Sequence, residues 1–340
     1  ELAGWESIEL EASKHDETAF RQSIFSKFRA ALLHISPRRR WSERARHAAE
    51  VLSSFVLSID QSGTFSVTWD VDPSEGYGDH GDLGLDLTDV FLAVGDVAKE
   101  KETGIVLLID EVQFLTTVQL ESLIQAVHKS VQKKLPITFV GAGLPQIAEL
   151  AGDAKSYAER LFKFPRIDSL TPEEARQALV GPAETENVSY DEDAVDLAVS
   201  LTHGYPYFIQ ELGYQAWIVA SGNHITAEDI STAKEAYEAK LDGSFFRVRL
   251  DRATPLQTAY MRAMAELGSE PQKAADVASL MKRESSQVAP IRSQLIDMGL
   301  LYTPQHGYAA FTVPDFDKFM MRAVPRLEVP EIQHRRRRGK

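Results

Sequence analysis

The chain of 340 residues contains no cysteine. That excludes a disulfide framework and a thiolate metal site, and it fits a reducing cytoplasm. No apolar run approaches the roughly 18–20 residues needed to span a bilayer. The first residues lack the basic-then-apolar pattern of a secretory signal, and they open on Glu1 rather than Met. Positive charge is also scarce. Lys and Arg number 37 against 50 Asp and Glu, a net charge of -13. The protein is therefore no globally basic nucleic-acid coat, and any such contact must come from a local patch. The 9 histidines include no pair at metal-ligand spacing on a plausible helix. What remains is ordinary for a soluble globular protein, with 44% hydrophobic and 26% charged residues, and the length suggests two or three domains.

The spacing of apolar residues divides the chain. "WESIELEAS" (5–13) reads as a short strand. Phe20, Ile24, Phe25, Phe28, Ala31 and Leu32 recur at helical spacing over 16–34. A second helix is expected over 41–58, a β-rich stretch over 64–71, a Gly/Asp-rich loop over 72–86 and a helix over 87–101. Then come a strand at 105–109, a helix at 116–133, a strand at 136–141, two short helices and a strand near 163–167. This alternation predicts an α/β core, a parallel sheet with helices on both faces. From 169 the texture turns helical. Ser169 or Thr171 can cap, Pro172 suits the first turn, and Glu173 and Glu174 favour the positive end of the macrodipole. Helices are expected over 254–268, 273–281 and 284–301, the last with a serine pair as its cap. Two short β segments around His306-Gly307 follow, which is the order of a winged helix-turn-helix. The expected domains are 1–168, 169–245 and 246–326, with a basic disordered tail over 327–340.

"GIVLLIDEVQFL" (104–115) carries the chemistry. A buried run ends in Asp110-Glu111, where ligands of open α/β sheets bind. Asp110 is placed to hold Mg²⁺ through water, and Glu111 to orient or deprotonate an attacking water. The same residues also read as a buried strand that ends in a polar turn. A nucleotide site further needs G-x-x-x-x-G-K-[ST] to cradle the phosphates. The sole Gly-Lys pair is Gly339-Lys340, with nothing after it, and the 72–86 loop has no lysine. Taken together, "LLIDE", the strand one helix later, the helical stretch and the three-helix ending resemble the AAA+ branch of P-loop ATPases, in particular those related to origin-recognition proteins. The resemblance spans about residues 5 to 325 and implies Walker B for "LLIDE", with ATP and Mg²⁺ bound between core and lid. In that family the P-loop precedes a strand such as "WESIELEAS". The expectation is that it lies upstream of Glu1, the rival being a degenerate ATPase. Either way this chain is expected to hydrolyse no ATP, and to fold poorly without the central strand.

The resemblance extends to further positions. Arg160 in "AERLF" stands where an arginine can reach a neighbouring subunit's γ-phosphate, which implies self-association; it also reads as a surface residue paired with Glu159 or a nearby acid. Gly141-Ala142-Gly143 offers no Asn or Thr sensor. Gly204-x-Pro206 is similar to the Gly-x-Pro of STAND ATPases, whose proline packs on adenine; equally, the glycine ends one helix and the proline begins the next. These departures favour a nucleotide-dependent switch over a fast motor. Asp70, Asp72, Asp79 and Asp82 lack the glycine and glutamate of a calcium loop.

If 284–298 is a recognition helix, Ser285, Ser286, Gln287 and Arg292 face base edges. Lys282 and Arg283 then suit phosphates, with His306 and Tyr308 on the wing. Winged helices also bind proteins, and Glu284 and Asp297 oppose a phosphate surface. The tail arginines at 335–338 add salt-sensitive affinity or keep the tail soluble. Three readings stay open: an ATPase switch, a duplex-DNA-binding regulator on a scaffold core, and a protein-interaction switch.

Overall fold

The computed structural model describes residues 4–12, 16–57 and 71–330, which fall into two compact units, Glu1–Pro165 and Arg166–Lys340. Unit 1 contains β1 (Glu6–Glu11), α1 (Glu17–Ile35), α2 (Glu43–Leu57), α3 (Leu83–Glu100), β2 (Ile105–Asp110), α4 (Thr117–Gln132), β3 (Ile137–Gly141), α5 (Ile147–Ala154) and α6 (Ala158–Leu161). The β-rich stretch expected over 64–71 falls, except for Val71, outside the described residues. Local chemistry starts these helices. The Asp16 carboxylate accepts from Ala19 N–H at 2.8 Å. Thr116 and Gln119 form a reciprocal capping box on α4.

The sheet is parallel, in the order β1-β2-β3. Its register sets Glu11 beside Asp110, and Ile109 beside Gly141. Ile8, Ile105, Leu107, Ile109 and Ile137 face one side and merge with the helices into one core. Phe28 and Phe91 meet there at 5.1 Å between ring centroids. The opposite side differs from the expectation of helices on both faces. Among the described residues, Val106, Leu108 and Val140 stand outside that core, and Val140 is 50% exposed. The alternation of buried and part-exposed residues along β2 records this one-sided covering. The strand expected near 163–167 does not form. That segment is irregular and largely exposed, and Pro165 brings no N–H to a ladder.

Deep in unit 1, Arg21 lies 2.8 Å from Asp86, and both side chains are buried. Asp86 also accepts from His80 N–H at 2.7 Å, which ties the loop before α3 to α1. The helix expected over 87–101 starts earlier, at Leu83, because Asp82 caps it at Leu85 N–H.

Unit 2 begins with α7 (Pro172–Thr185), β4 (Ser189–Tyr190), α8 (Glu192–Thr202), α9 (Pro206–Val219), β5 (His224–Ile225) and α10 (Ala227–Lys240). Thr171 rather than Ser169 caps α7, in a box with Glu174. The Thr171 backbone N–H holds the Glu174 carboxyl below its usual range. α10 runs through a π-helical stretch, Leu241–Phe246, into α11 (Arg247–Leu250). Then follow α12 (Pro255–Leu267), β6 (Gln272–Lys273), α13 (Ala274–Leu280), α14 (Ser285–Asp297), β7 (Leu301–Tyr302), β8 (Tyr308–Phe311) and α15 (Phe316–Ala323). β6, β8 and β7 form a small antiparallel sheet in that order. A single core runs through the helices on both sides of residue 245. Leu327 and Val329, expected in the tail, pack on it.

Candidate functional site

Asp110 ends β2 at the carboxyl edge of the sheet, with its side chain exposed. One carboxylate oxygen accepts from Glu111 N–H at 2.8 Å. Glu111 takes the left-handed conformation, with φ 55° and ψ 37°, which turns the chain sharply off the strand. The turn is pinned across the sheet. Ala142 N–H donates to Ile109 O at 2.8 Å, and Val112 N–H donates to Ala142 O at 3.0 Å.

Gln113 is the residue that sequence reasoning missed. Its amide N–H donates to the Glu111 carboxylate, and its carbonyl oxygen accepts from Leu144 N–H at 3.1 Å. One side chain thus ties Glu111 to the turn that follows β3. Gly143 makes room for it, since a Cβ there would sit 2.4 Å from the Gln113 oxygen. The only sequence signal was a polar residue two positions after Glu111.

Beside Asp110 lies a shallow depression of about 310 Å³, lined by Glu9, Leu10, Glu11, Leu108 and Asp110. Its lining is acidic, with no lysine or arginine. Among the described residues no three His, Cys, Asp or Glu side chains are grouped to enclose a metal ion. Arg160, on α6, is exposed and makes no ion pair among the described residues, so the expected pairing with Glu159 is not seen.

Gly204 and Pro206 belong to unit 2. Gly204 has φ 70°, and a Cβ there would meet Leu170 O at 2.3 Å. Its carbonyl accepts from Leu170 N–H at 2.9 Å. Pro206 opens α9 with an exposed ring. The close approach of backbone to Leu170 is thus one physical reason for the glycine.

The helix-turn-helix candidates lie around α13 and α14. Lys282 turns the chain between them with φ 53° and is exposed. Ser285 and Ser286 are exposed in the first turn of α14. The cap, however, is Glu284 and not the serine pair, and Gln287 completes the box by accepting from Glu284 N–H at 3.0 Å. Arg292 donates to Thr303 Oγ1 at 2.9 Å and to the Tyr308 carbonyl at 2.7 Å, which fastens the hairpin to α14. Arg283 donates to Pro330 O. Gln287, Arg283 and Arg292 therefore already serve the fold. His306 stands exposed at the hairpin tip, and Tyr308 is half-buried with Lys273 over its ring at 6.0 Å.

A family model described as a domain of unknown function (DUF8462) matches residues 243–320. Over 209 residues the chain is 23% identical to the uncharacterized HTH-type transcriptional regulator MJ0774 of Methanocaldococcus jannaschii. That match covers 59% of this chain and 51% of the relative, so the chain spans about half the length of the curated protein it matches. Among solved structures it is similar to the Walker-type ATPase PABY2304 of Pyrococcus abyssi, at 14% identity and TM-score 0.49, over 94% of this chain and 92% of that one. It is similar to Cdc6p of Pyrobaculum aerophilum at 13% identity and TM-score 0.42, covering 94% and 79% of the two chains. It is also similar to the RuvB Holliday junction branch migration motor of Thermotoga maritima, at 16% identity and TM-score 0.38, covering 75% and 87%.

Proposed function

We propose that the chain is a DNA-binding regulator of the AAA+ type, with nucleotide chemistry assigned to unit 1 and a winged helix to residues 246–326. The observation that carries the reading is the Asp110–Glu111 pair at the carboxyl edge of a parallel sheet. Two further observations support it: the helix-helix-ribbon order of 274–311, and the sequence likeness to an HTH-type regulator. In this reading Asp110 holds Mg²⁺ through water, Glu111 orients a water, and Arg160 serves a neighbouring copy. Lys282, Ser285, Ser286 and His306 contact duplex DNA.

The residues fit the metal side of such a site and not its phosphate side. A single exposed carboxylate suits Mg²⁺, which keeps several waters and takes its other ligands from phosphate. This sequence holds no G-x-x-x-x-G-K-[ST] loop to cradle those phosphates, and the depression beside Asp110 is lined by no lysine. No hydrolytic step is therefore assigned to these residues alone, and the expected ATPase rate of this chain is nil. A rate abolished by Asp110→Asn would refute that. In a protein that joins this chain to a G-x-x-x-x-G-K-[ST] loop, Glu111→Gln should stop turnover and spare ATP binding; undiminished turnover would sink the role of Glu111.

The acidic lining of the depression beside Asp110 favours a second reading, in which the core is only a scaffold. DNA affinity is then indifferent to Mg-ATP, whereas the switch reading requires the two to be coupled. Anisotropy titrations of duplex DNA with and without Mg-ATP separate them.

A further inference from the structure

Unit 1 carries a basic patch away from the Asp110–Glu111 edge. Residues 27–47 hold seven Lys and Arg against one acid, Glu43, in a chain of net charge -13. Six of the seven are arginine. Arg38, Arg39 and Arg40 stand consecutively in a short 3₁₀ turn between α1 and α2, and all are exposed. Arg46, in the first turn of α2, is exposed as well. Arg39, Arg40 and Arg46 make no ion pair among the described residues.

The fold holds this turn in place. Trp41 Nε1–H donates to Ser36 O at 2.8 Å, and Arg40 N–H donates to Pro37 O at 2.8 Å. The Arg38 guanidinium lies 5.8 Å from the Trp41 ring centroid. Ser42 donates to Glu100 at 3.0 Å and accepts from Ala45 N–H at 3.3 Å, which fastens the start of α2 to the end of α3. Glu100 is shared by Arg44 at 3.7 Å and Lys101 at 3.1 Å, so the acid beside the patch faces two cations. The turn lies at the amino edge of the sheet, since His34, one residue before the end of α1, pairs with Glu6 at the start of β1. Asp110 ends β2 at the opposite edge.

We propose that Arg39, Arg40 and Arg46 form a second DNA contact, a surface of unit 1 that grips backbone phosphates independently of α14. The inference rests on the DNA-binding reading above and deepens it: base edges are left to unit 2, and unit 1 adds grip that selects no sequence. Charge complementarity carries it, because a molecule of net negative charge repels a polyanion except where positive charge is concentrated. Arginine suits phosphodiesters, whose oxygens its planar fork takes in pairs. An anionic bilayer fits less well, because no large apolar side chain is exposed within 27–47 to enter it.

The test is the salt dependence of binding by the full chain to a duplex of arbitrary sequence, followed by anisotropy. Each phosphate neutralised contributes about 0.9 to the slope of log affinity against log salt. Arg39→Gln, Arg40→Gln and Arg46→Gln together should lower that slope by roughly 2 to 3. Between about 50 and 200 mM salt the unchanged chain should then lose on the order of 15- to 60-fold more affinity than the variant. Lys at the same three positions keeps the charge and should keep the slope. Lys234→Gln, Lys240→Gln and Arg252→Gln together remove the same charge from unit 2 and should lower the slope by less than about 1. An unchanged slope in the first variant overturns the patch and leaves DNA binding through α14 standing. An equal fall in the unit 2 variant, or a fall in the Lys variant, overturns a local electrostatic grip. Tighter binding to vesicles of one-third phosphatidylserine than to the duplex overturns the assignment to DNA. No binding by the unchanged chain at about 50 mM salt overturns the DNA-binding reading and this inference together.

Discussion

Replacing Arg21 by Met isolates a fully buried charge contact of unit 1. Arg21 shows 2% of its side chain to solvent and Asp86 none, at 2.8 Å separation. The guanidinium also meets Glu17 at 2.9 Å and lies 4.9 Å from the Phe55 ring centroid. Met fills much of the volume but leaves the Asp86 carboxylate buried without its cation. Breaking a buried pair on one side costs about 3–5 kcal/mol, because the surviving charge is neither hydrated nor paired. That is a large part of the roughly 5–15 kcal/mol that stabilises a domain. For a unit of this size it corresponds to a fall of about 6–20 °C in melting temperature. The chain has two units, so hydrogen exchange at the amides of α1 and α3 is the unit-specific assay. Protection there should fall by the same free energy while α12 and α14 are unaffected. Adding Asp86→Asn should recover part of the loss, since the stranded charge is gone and Oδ1 can still accept from His80 N–H. A loss below about 1 kcal/mol in the single variant would refute the reasoning, for it would mean that Asp86 is hydrated or neutral despite its burial.

Three other outcomes follow from the same geometry. Gly204→Ala places a Cβ 2.3 Å from Leu170 O at φ 70°; unit 2 should lose at least about 1–2 kcal/mol, from the left-handed conformation alone, measured by urea unfolding. Gln113→Ala removes the tie between Glu111 and Leu144 N–H, and should raise amide exchange at Leu144 with little change at β1; unaltered exchange refutes the tie. The hydrogen bond to Asp89 raises the pKa of His80 above 6.5. Its stabilising contribution is therefore complete below pH 6.5 and is lost as pH rises through the higher folded value. A His80→Gln chain should lack that pH dependence, and an ordinary or lowered His80 titration by NMR would contradict it.

Much of the local structure was legible before any coordinates. Phe20, Ile24 and Phe28 repeat with the helical period, and Thr171-Pro172 and Thr254-Pro255 announce their helices, because caps and periodicity act within four residues. The run from Ile105 into Asp110-Glu111 declared a buried strand with carboxylates at its end for the same reason. What lay beyond local chemistry was missed. Glu284, not the serines, caps α14, because Gln287 reaches back to it. Nothing near Gln113 says that Leu144, across the sheet, will be its partner. Arg21 and Asp86 are 65 positions apart, and each alone looks like a surface charge. The covering of the sheet on one face was equally invisible, since Ile105 to Ile109 are apolar at every position and do not tell the two faces apart. The sequence by itself therefore determined the helices marked by caps and period, the acidic strand end and the run of arginines at 335–338. The tertiary structure alone decided which charges are buried and which arginines serve the fold, because those depend on contacts between segments that the chain brings together only on folding.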